Sequence, residues 1–239
     1  MQNDRLEGVR LNKFLVEAGV CSRREADRWI TAGRVTVNRE PAVLGVKVQK
    51  NDIIHVDGRK VNAQERRHVY LAYHKPVGII CTSDPHAKDN IIDAIDYPER
   101  IFHIGRLDVA SSGIILLTND GEVVNKILRS EGQHEKEYIV KVTENLTQED
   151  LQTMRTGVDI GDPHRTLPAM VIKMGPRMFA ITIVEGRNRQ IRRMCEALGY
   201  EVEALKRIRV MNITVDNLPP GKWRELTNRE REDLLRSLK

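Results

Sequence analysis

The chain has 239 residues, 40% of them hydrophobic, and a formal net charge of +5, which is sufficient for a globular protein with a substantial core. It contains no run of roughly 18 apolar residues that could cross a membrane, and its start lacks an apolar signal core. Cys21, Cys81 and Cys195 are widely spaced and form neither a disulfide framework nor a zinc motif. We therefore expect a cytoplasmic protein with no membrane partner.

The first sixty or so residues have the pattern of a small ααβ unit. Apolar residues recur at helical spacing from Leu11 to Ala18, and Gly19 ends that helix. Ser22-Arg23-Arg24-Glu25 is typical of a capping box that opens a second helix. The alternation at residues 34–38 and 52–58 predicts two strands.

The positive charge is concentrated in this unit. Residues 1–67 hold 14 Lys and Arg against 9 Asp and Glu, so the other 172 residues are neutral overall. A second excess lies at residues 187–209, with seven Lys and Arg against three Glu. Two basic surfaces predict a polyanion contacted at two places, although a solvated charged face is the simpler alternative. Six basic residues of the first unit fall at helix starts and turns, mostly outside the apolar stripes of its helices. They are Arg10, Lys13, Arg23, Arg24, Arg28 and Arg34.

Residues 8–66 resemble the alpha-L RNA-binding fold, first described in a small-subunit ribosomal protein. The motifs that carry the resemblance are Arg10-Leu11-Asn12-Lys13, Cys21 to Ala26 and Gly33 to Asn38. The polar residues 62–67 are expected to be a linker. The resemblance implies an RNA-binding domain over residues 1–67 and a second domain over residues 68–239.

The second domain mixes strands and helices without a regular βαβ repeat. This arrangement predicts an α+β domain around a largely antiparallel mixed sheet flanked by helices. Thr227 to Glu230 forms another capping box ahead of the last helix. Strands are predicted at about 69–73, 113–118, 138–142, 178–185 and 209–215, and helices at about 121–129, 148–156, 190–198 and 228–238.

A carboxylate and a guanidinium stand together in the turn from Gly105 to Gly113, directly ahead of the apolar run Ile114 to Leu117. Asp108 would there have rigid support, as a catalytic carboxylate requires. A plain Asp-Ser-Ser-Gly turn closing onto a strand is the alternative.

A basic helix is predicted between Arg189 and Gly199, with an apolar stripe that includes Ile191 and Met194. Arg189 and Arg193 point away from that stripe, whereas Arg192 lies on its border. A half-buried arginine normally has a carboxylate partner, and Asp108 is one candidate.

The sequence has none of the motifs of a P-loop, dinucleotide fold, hydrolase elbow or zincin, and its seven histidines lack close ligand spacing. We therefore expect no metal and no cofactor.

Four motifs follow one another along the second domain: Gly105-Arg106-Leu107-Asp108, Lys136-Glu137-Tyr138, Glu185 to Met194 and Leu205-Lys206-Arg207. In this order they resemble the RsuA/RluB/RluE/RluF family of ribosomal RNA pseudouridine synthases, and are most like its large-subunit members. The resemblance implies isomerisation of uridine to pseudouridine, without metal or cofactor, on a nucleotide flipped out of the RNA.

The resemblance also assigns roles to individual residues. Asp108 matches the essential aspartate and Arg192 the arginine that pairs with it. Tyr138 matches the tyrosine that stacks on uracil and is a candidate for proton transfer, and Leu205 matches an apolar residue packed at the active site. Arg106 matches the residue that helps to hold the extruded nucleotide. Lys136 is taken as further active-site support, and the expected RNA contacts are Arg10, Lys13, Arg23, Arg24, Arg34, Arg187, Arg189, Arg193 and Arg207.

The expected partner is ribosomal RNA or an assembling ribosomal subunit, bound by a monomer. Small-subunit ribosomal RNA and transfer RNA remain open as substrates. A non-catalytic, ribosome-associated RNA-binding protein is an alternative of a different class. An aspartate-based hydrolase would need a second carboxylate, for which the motifs offer Glu185 and Glu137.

Overall fold

A computed structural model describes residues 8–62, 67–84, 86–128 and 133–238. The chain divides into two compact units, Met1–Arg67 and His68–Lys239. Most of the expected linker, residues 62–67, lies outside the described residues. Within the ranges given, no helix is both long enough and apolar enough to cross a membrane.

The first unit packs two short helices against small antiparallel sheets. Leu11 and Leu15 of the first helix and Ala26 and Ile30 of the second are buried in one core. The predicted capping box is confirmed, since Glu25 N–H donates to Ser22 Oγ at 3.1 Å and the Glu25 side chain accepts from the Ser22 N–H. The elements are β1 Val9–Arg10, α1 Leu11–Glu17, α2 Arg23–Thr31, β2 Val35–Val37, β3 Glu40–Pro41, β4 Lys47–Val48, β5 Ile54–Val56 and β6 Arg59–Val61.

The second unit is built on one large sheet with an apolar core on each face. The predicted α+β class is therefore confirmed. Its elements are β7 Tyr70–Lys75, α3 Ile91–Ile95, β8 Phe102–Ile104, β9 Ser112–Thr118, α4 Gly121–Leu128, β10 Lys136–Val142, α5 Gln148–Thr156, β11 Met170–Gly175, β12 Met178–Ile183, α6 Gln190–Ala197, β13 Val202–Val210, β14 Ile213–Thr214, β15 Trp223–Glu225 and α7 Asn228–Arg236.

The strand order of this sheet is β11-β12-β10-β13-β9-β7-β15, with β14 beside β13 and β8 beside β9. Among the described strands, the pair β9 and β13 is parallel and every other pair is antiparallel. Strands β7 and β9 are buried on both faces, because successive side chains enter opposite cores. The sheet thus consists of two antiparallel halves that meet at one parallel junction.

Some element boundaries predicted from the sequence were wrong. The strand expected at 209–215 begins at Val202 and is interrupted after Val210, where Met211 has a φ of 52° and the chain turns into β14. The strand expected at 178–185 ends at Ile183, and the last position of the helix expected at 121–129 lies outside the described residues. Eight of the elements that the structure describes were missed: α3, β8, β11 and β15 in the second unit, and the short strands β1, β3, β4 and β6 in the first.

The parallel junction requires a glycine. Gly113 has a φ of +116° and pairs with Arg207 across β9 and β13. A Cβ atom at Gly113 would lie 2.1 Å from the Arg207 carbonyl oxygen and 2.5 Å from the Arg207 nitrogen. Both contacts are with backbone, so no side-chain rotation could relieve them.

Replacing Gly113 by Ala is therefore expected to destabilise the second unit by about 3 kcal/mol or more, because a steric clash adds to an unfavourable φ. Gly78→Ala is the matched control, since Gly78 has a φ of +97° with nothing within 4 Å of the added Cβ. It should cost about 1 to 2 kcal/mol. Denaturant unfolding of both variants makes the comparison, and equal losses would contradict a steric requirement.

The last helix is fixed by an ion pair at its start. Arg224 of β15 donates from Nη1 and Nη2 to the two carboxylate oxygens of Glu230, each at 2.7 Å. Glu230 also accepts from the Thr227 N–H at 2.8 Å, which completes the predicted capping box. These hydrogen bonds, led by those from Arg224, lower the pKa of Glu230 from 4.5 to about 2.

Because that pKa is lower in the folded protein, the contribution of Glu230 to stability is fully present above pH 4.5 and is lost as the pH falls towards 2. Glu230→Gln should reduce the free energy of unfolding by about 1 to 2 kcal/mol at pH 7 after allowance for solvent screening. The difference from the unmodified protein should shrink steadily as the pH falls from 4.5 and should vanish only below pH 2. Glu232→Gln on the same exposed helix is the control, and a deficit independent of pH would contradict the ion-pair explanation.

Candidate active site

The predicted carboxylate turn lies directly ahead of β9, at the wall of a cavity of about 550 Å³. Leu107 is buried and its N–H donates to Cys81 Sγ at 3.4 Å, while Ser111 N–H donates to the Asp108 carbonyl at 3.0 Å. The Asp108 side chain remains 31% exposed and lines the cavity. The turn is therefore tied to Cys81, closed by a hydrogen bond of its own, and presents its carboxylate to an open space.

Arg192 of α6 holds this turn. Its Nη2 donates to the Ala110 carbonyl at 3.0 Å and to Ser111 Oγ at 3.2 Å, and its Nη1 donates to the Val202 carbonyl at 3.3 Å. Its Nε lies 3.8 Å from Asp108 Oδ2. Burial, and secondarily the charge of Arg189, lowers the pKa of Arg192, while Asp108 raises it. The structure thus brings together the two residues that the sequence suggested as partners.

The sheet supplies the side of the cavity that faces this turn. Tyr138 of β10 lies opposite Arg207 of β13, and Leu205 lies two positions earlier on β13. All three side chains are buried and line the cavity. Lys136, also in the cavity, donates from Nζ to the His134 carbonyl at 2.9 Å. The groups expected at an active site therefore converge from β10, β13 and the loop before β9.

The arginines near α6 have different environments. Arg193 donates to the Asp162 carboxylate at 2.7 Å, and also to the Ile160 carbonyl. Arg187 donates to Glu185 at 3.0 Å and to the carbonyls of His164 and Arg165. These two guanidinium groups hold the segment at residues 160–165. Arg189 and Arg106 are exposed at the cavity.

Arg207 has an environment unlike that of an ordinary phosphate-binding arginine on a protein surface. It is only 3% exposed, and its Nε donates to the Ile114 carbonyl at 2.7 Å. It can therefore meet only a group that enters the cavity.

The cations of the first unit are partly engaged within it. Arg10, Arg23 and Arg24 are exposed. Lys13 Nζ lies 3.5 Å from Glu17 Oε1, one helical turn further along α1. Arg34 forms two hydrogen bonds to Asp57, with its guanidinium 4.9 Å from the centre of the Trp29 ring.

Lys75 is a buried lysine near the site, and it was not predicted from the sequence. It is fully buried at the end of β7, and its Nζ donates to the carbonyls of Pro76 at 2.9 Å and Ile79 at 2.8 Å. Burial lowers its pKa, the charges of Cys81 and Asp108 raise it, and that of Arg207 lowers it. The sequence signal was a lysine at the end of a mostly apolar and aromatic strand, immediately before a proline.

The two carboxylates considered as acid partners for hydrolysis are engaged elsewhere. Glu185 accepts from the Gln190 side chain at 2.7 Å and from the Leu167 N–H at 2.8 Å. Glu137 accepts from Arg209 at 2.9 Å. Across the described ranges, no group of three or more His, Cys, Asp or Glu side chains could hold a metal ion.

Comparison with known proteins relates this geometry to one family. The family model described as RNA pseudouridylate synthase matches residues 69–197, and the S4 domain model matches residues 9–54. A dual-specificity RNA pseudouridine synthase RluF from Escherichia coli (strain K12) is 47% identical over 229 residues, which cover 95% of this chain and 79% of the relative.

Two further relatives extend the similarity. A ribosomal large subunit pseudouridine synthase B from Bacillus subtilis (strain 168) is 40% identical, over 92% of this chain and 93% of the relative. A crystal structure of a pseudouridylate synthase superposes with a TM-score of 0.69 at 30% identity, over 95% of this chain and 99% of that one.

Removing the guanidinium of Arg192 should loosen the turn that carries Asp108. Arg192→Met is expected to speed amide hydrogen exchange in residues 105–113 by about 10-fold or more, since charge-assisted hydrogen bonds to Ala110 and Ser111 are lost. Arg189→Met, which removes an exposed charge from the same helix start, is the control and should leave that exchange unchanged. Mass spectrometry of the peptide covering the turn makes the measurement, and unchanged protection in Arg192→Met would contradict the anchoring role.

Proposed function

The chain belongs to the RNA pseudouridine synthases, and we propose that it converts uridine to pseudouridine in ribosomal RNA of the large subunit, with Asp108 as the essential carboxylate. The observation that carries this proposal is the ion pair of Asp108 and Arg192 at the wall of a cavity that also holds Tyr138 and Leu205. The large-subunit substrate is supported by the relative named for that subunit.

The reaction is an internal exchange of bonds, which suits a site built only from side chains. The bond from N1 of uracil to C1′ of ribose breaks, a bond from C5 to C1′ forms, C5 loses a proton and N1 gains one. Asp108 acts by attack on the base or the ribose, or by assisting a glycal intermediate. Arg192 supplies a fixed positive charge 3.8 Å from Asp108 and holds the turn that aims its carboxylate.

The remaining cavity residues position the nucleotide. Tyr138 offers an aromatic face for the uracil and a hydroxyl for proton transfer, and Leu205 packs beside it. A base inside an RNA stack is out of reach, and extruding it costs a few kcal/mol. Arg106 and Arg189, exposed at the cavity, are placed to hold the extruded nucleotide and its phosphates.

The first unit is an S4 domain and contributes a separate RNA contact. Arg10, Arg23 and Arg24 carry exposed charges suited to phosphates. Two modest sites on one chain bind RNA more tightly than either alone. We further propose that the protein acts as a monomer on ribosomal RNA or an assembling subunit in the cytoplasm, where three buried free thiols remain reduced.

Replacing the essential carboxylate by its amide tests the assignment. Asp108→Asn should reduce pseudouridine formation by at least about 10³-fold, as expected when an essential catalytic group is removed, and should leave RNA affinity within about 3-fold. Asp216→Asn, at an exposed position, is the control and should retain activity. The assay incubates large-subunit, small-subunit and transfer RNA transcripts with each protein and maps pseudouridine by chemical marking and reverse transcription.

Product only in large-subunit RNA supports the proposal in full. Full activity of Asp108→Asn would overturn the role of this residue. Binding without product by the unmodified protein on all three RNAs would favour the non-catalytic alternative, and product confined to small-subunit or transfer RNA would replace the substrate.

A further inference from the structure

Arg207 carries a donor that nothing in the described part of the chain receives. Its Nε is bonded to the Ile114 carbonyl, but its Nη2 is buried and lacks a hydrogen-bond partner. The guanidinium lies 6.0 Å from the centre of the Tyr138 ring. An unpaired buried donor on a charged group is costly, so a ligand that accepts from it would recover that cost.

Lys136 places a second cation nearby. Its ammonium group uses one hydrogen on the His134 carbonyl. Burial, and then the charge of Arg207, lowers the pKa of Lys136. A buried and a half-buried cation that repel one another on neighbouring strands at a cavity wall are an arrangement typical of an anion site.

The neighbouring carboxylates are committed to other cations. Glu135 and Glu137 both pair with Arg209, at 3.0 and 2.9 Å. Asp108 faces Arg192. No carboxylate of the described residues forms an ion pair with Arg207 or Lys136 within 4.0 Å. The cavity floor therefore has a local excess of positive charge.

We propose that Arg207 is a catalytic residue that donates to a carbonyl oxygen of the extruded uracil, with Lys136 adding positive charge, and so stabilises the negative charge that the base acquires during the reaction. The inference rests on the proposed function and extends it to a residue that otherwise counts only as an RNA contact.

The position of Arg207 favours the base over a phosphate. Arg207 is 97% buried and adjoins Tyr138, the ring against which the uracil would pack. The exposed cations Arg106 and Arg189 are better placed for the RNA backbone. Asp108 and Arg207 line the same cavity, and the charges of both act on the buried Lys75.

Negative charge develops on the uracil in each mechanism considered for Asp108, and a fixed cation at the carbonyl oxygens would stabilise it. When the bond from N1 to C1′ breaks, its electron pair stays on uracil and spreads over N1, O2 and O4. When a carboxylate adds to C6, the electron pair of the C5–C6 double bond moves towards O4. A guanidinium fixed beforehand at those oxygens, in a site shielded from water, stabilises the charge without reorganisation.

Arg207→Gln should lower the single-turnover rate by about 10² to 10³-fold, the usual effect of removing one preorganised donor to a developing oxyanion, with RNA affinity within about 3-fold of the unmodified protein. Arg207→Lys should recover part of the rate by restoring the charge without the planar fork. Lys136→Met should lower the rate less, and it leaves the junction of β9 and β13 untouched. Lys141→Met is the matched control, because this exposed lysine of β10 pairs with Glu203 and should retain full activity.

Sulfur substitution in the substrate separates contact with uracil from a structural effect. RNA with 2-thiouridine or 4-thiouridine at the target position replaces one carbonyl oxygen by a poorer acceptor. One of the two should slow the unmodified protein by about 10-fold and leave the rate of Arg207→Gln unchanged, as expected for two groups in direct contact.

The results distinguish contact of Arg207 with uracil from contact with a phosphate. Equal slowing of both proteins by both thio substrates would overturn the proposal, as would a loss in Arg207→Gln that lies wholly in RNA affinity, which would assign the residue to a phosphate. If the unmodified protein makes no pseudouridine, the proposed function itself fails. If the unmodified protein makes pseudouridine and Arg207→Gln makes it at the same rate, the proposed function stands and only the role of Arg207 is overturned.

Discussion

The parallel junction of β9 and β13 is the constraint on which the rest of the second unit depends. Strands β11, β12, β10 and β13 form one antiparallel half of the sheet, and β9, β7 and β15 form the other. The halves are joined through the register of Ser112 with Lys206 and of Gly113 with Arg207. Asp108 lies just ahead of β9, the strand at the edge of one half. Tyr138, Leu205 and Arg207 lie on β10 and β13 of the other half. The cavity exists because the two halves meet there.

Arginines in this protein serve as internal supports as well as surface charges. Arg187, Arg192 and Arg193 each donate to at least one backbone carbonyl of another segment. The planar guanidinium suits this use, since it can bond two loops at once and stays charged when partly buried. The basic character of residues 187–209 therefore overstates the charge available to RNA. The exposed share is carried by residues such as Arg189, whose left-handed backbone, with a φ of 49°, opens α6.

The sequence predicted the features governed by local chemistry. Both capping boxes and the helix Gln148–Thr156 were anticipated, because the signals lie within a few residues of one another. Helical geometry and the cost of burying an unpaired guanidinium predicted a carboxylate partner for Arg192, with Asp108 as one candidate, and the family resemblance singled Asp108 out. Short elements such as β8 and β15 were missed, because pairing with distant strands, and not local pattern, holds them in the sheet.

The environments of the basic residues were harder to predict. Helical spacing correctly kept Arg193 off the apolar stripe of α6, but it could not show that Asp162 would meet it. The burial of Arg207 follows from alternation along β13 only once the register of that strand against β10 is known. Lys75 gave only the weak signal of a lysine before proline. Each of these depends on contacts between residues far apart in the chain.

The glycine at the parallel junction also limits how this region can vary in length. Gly113 must face the Arg207 backbone, and Asp108 must reach the cavity from the same short turn. An insertion or deletion of one residue between them would either move the Asp108 carboxylate away from Arg192 or place a residue with a Cβ atom against the Arg207 backbone, where only glycine fits. We therefore expect this protein to tolerate a change in the length of a distant surface loop far better than an insertion or deletion between Asp108 and Gly113.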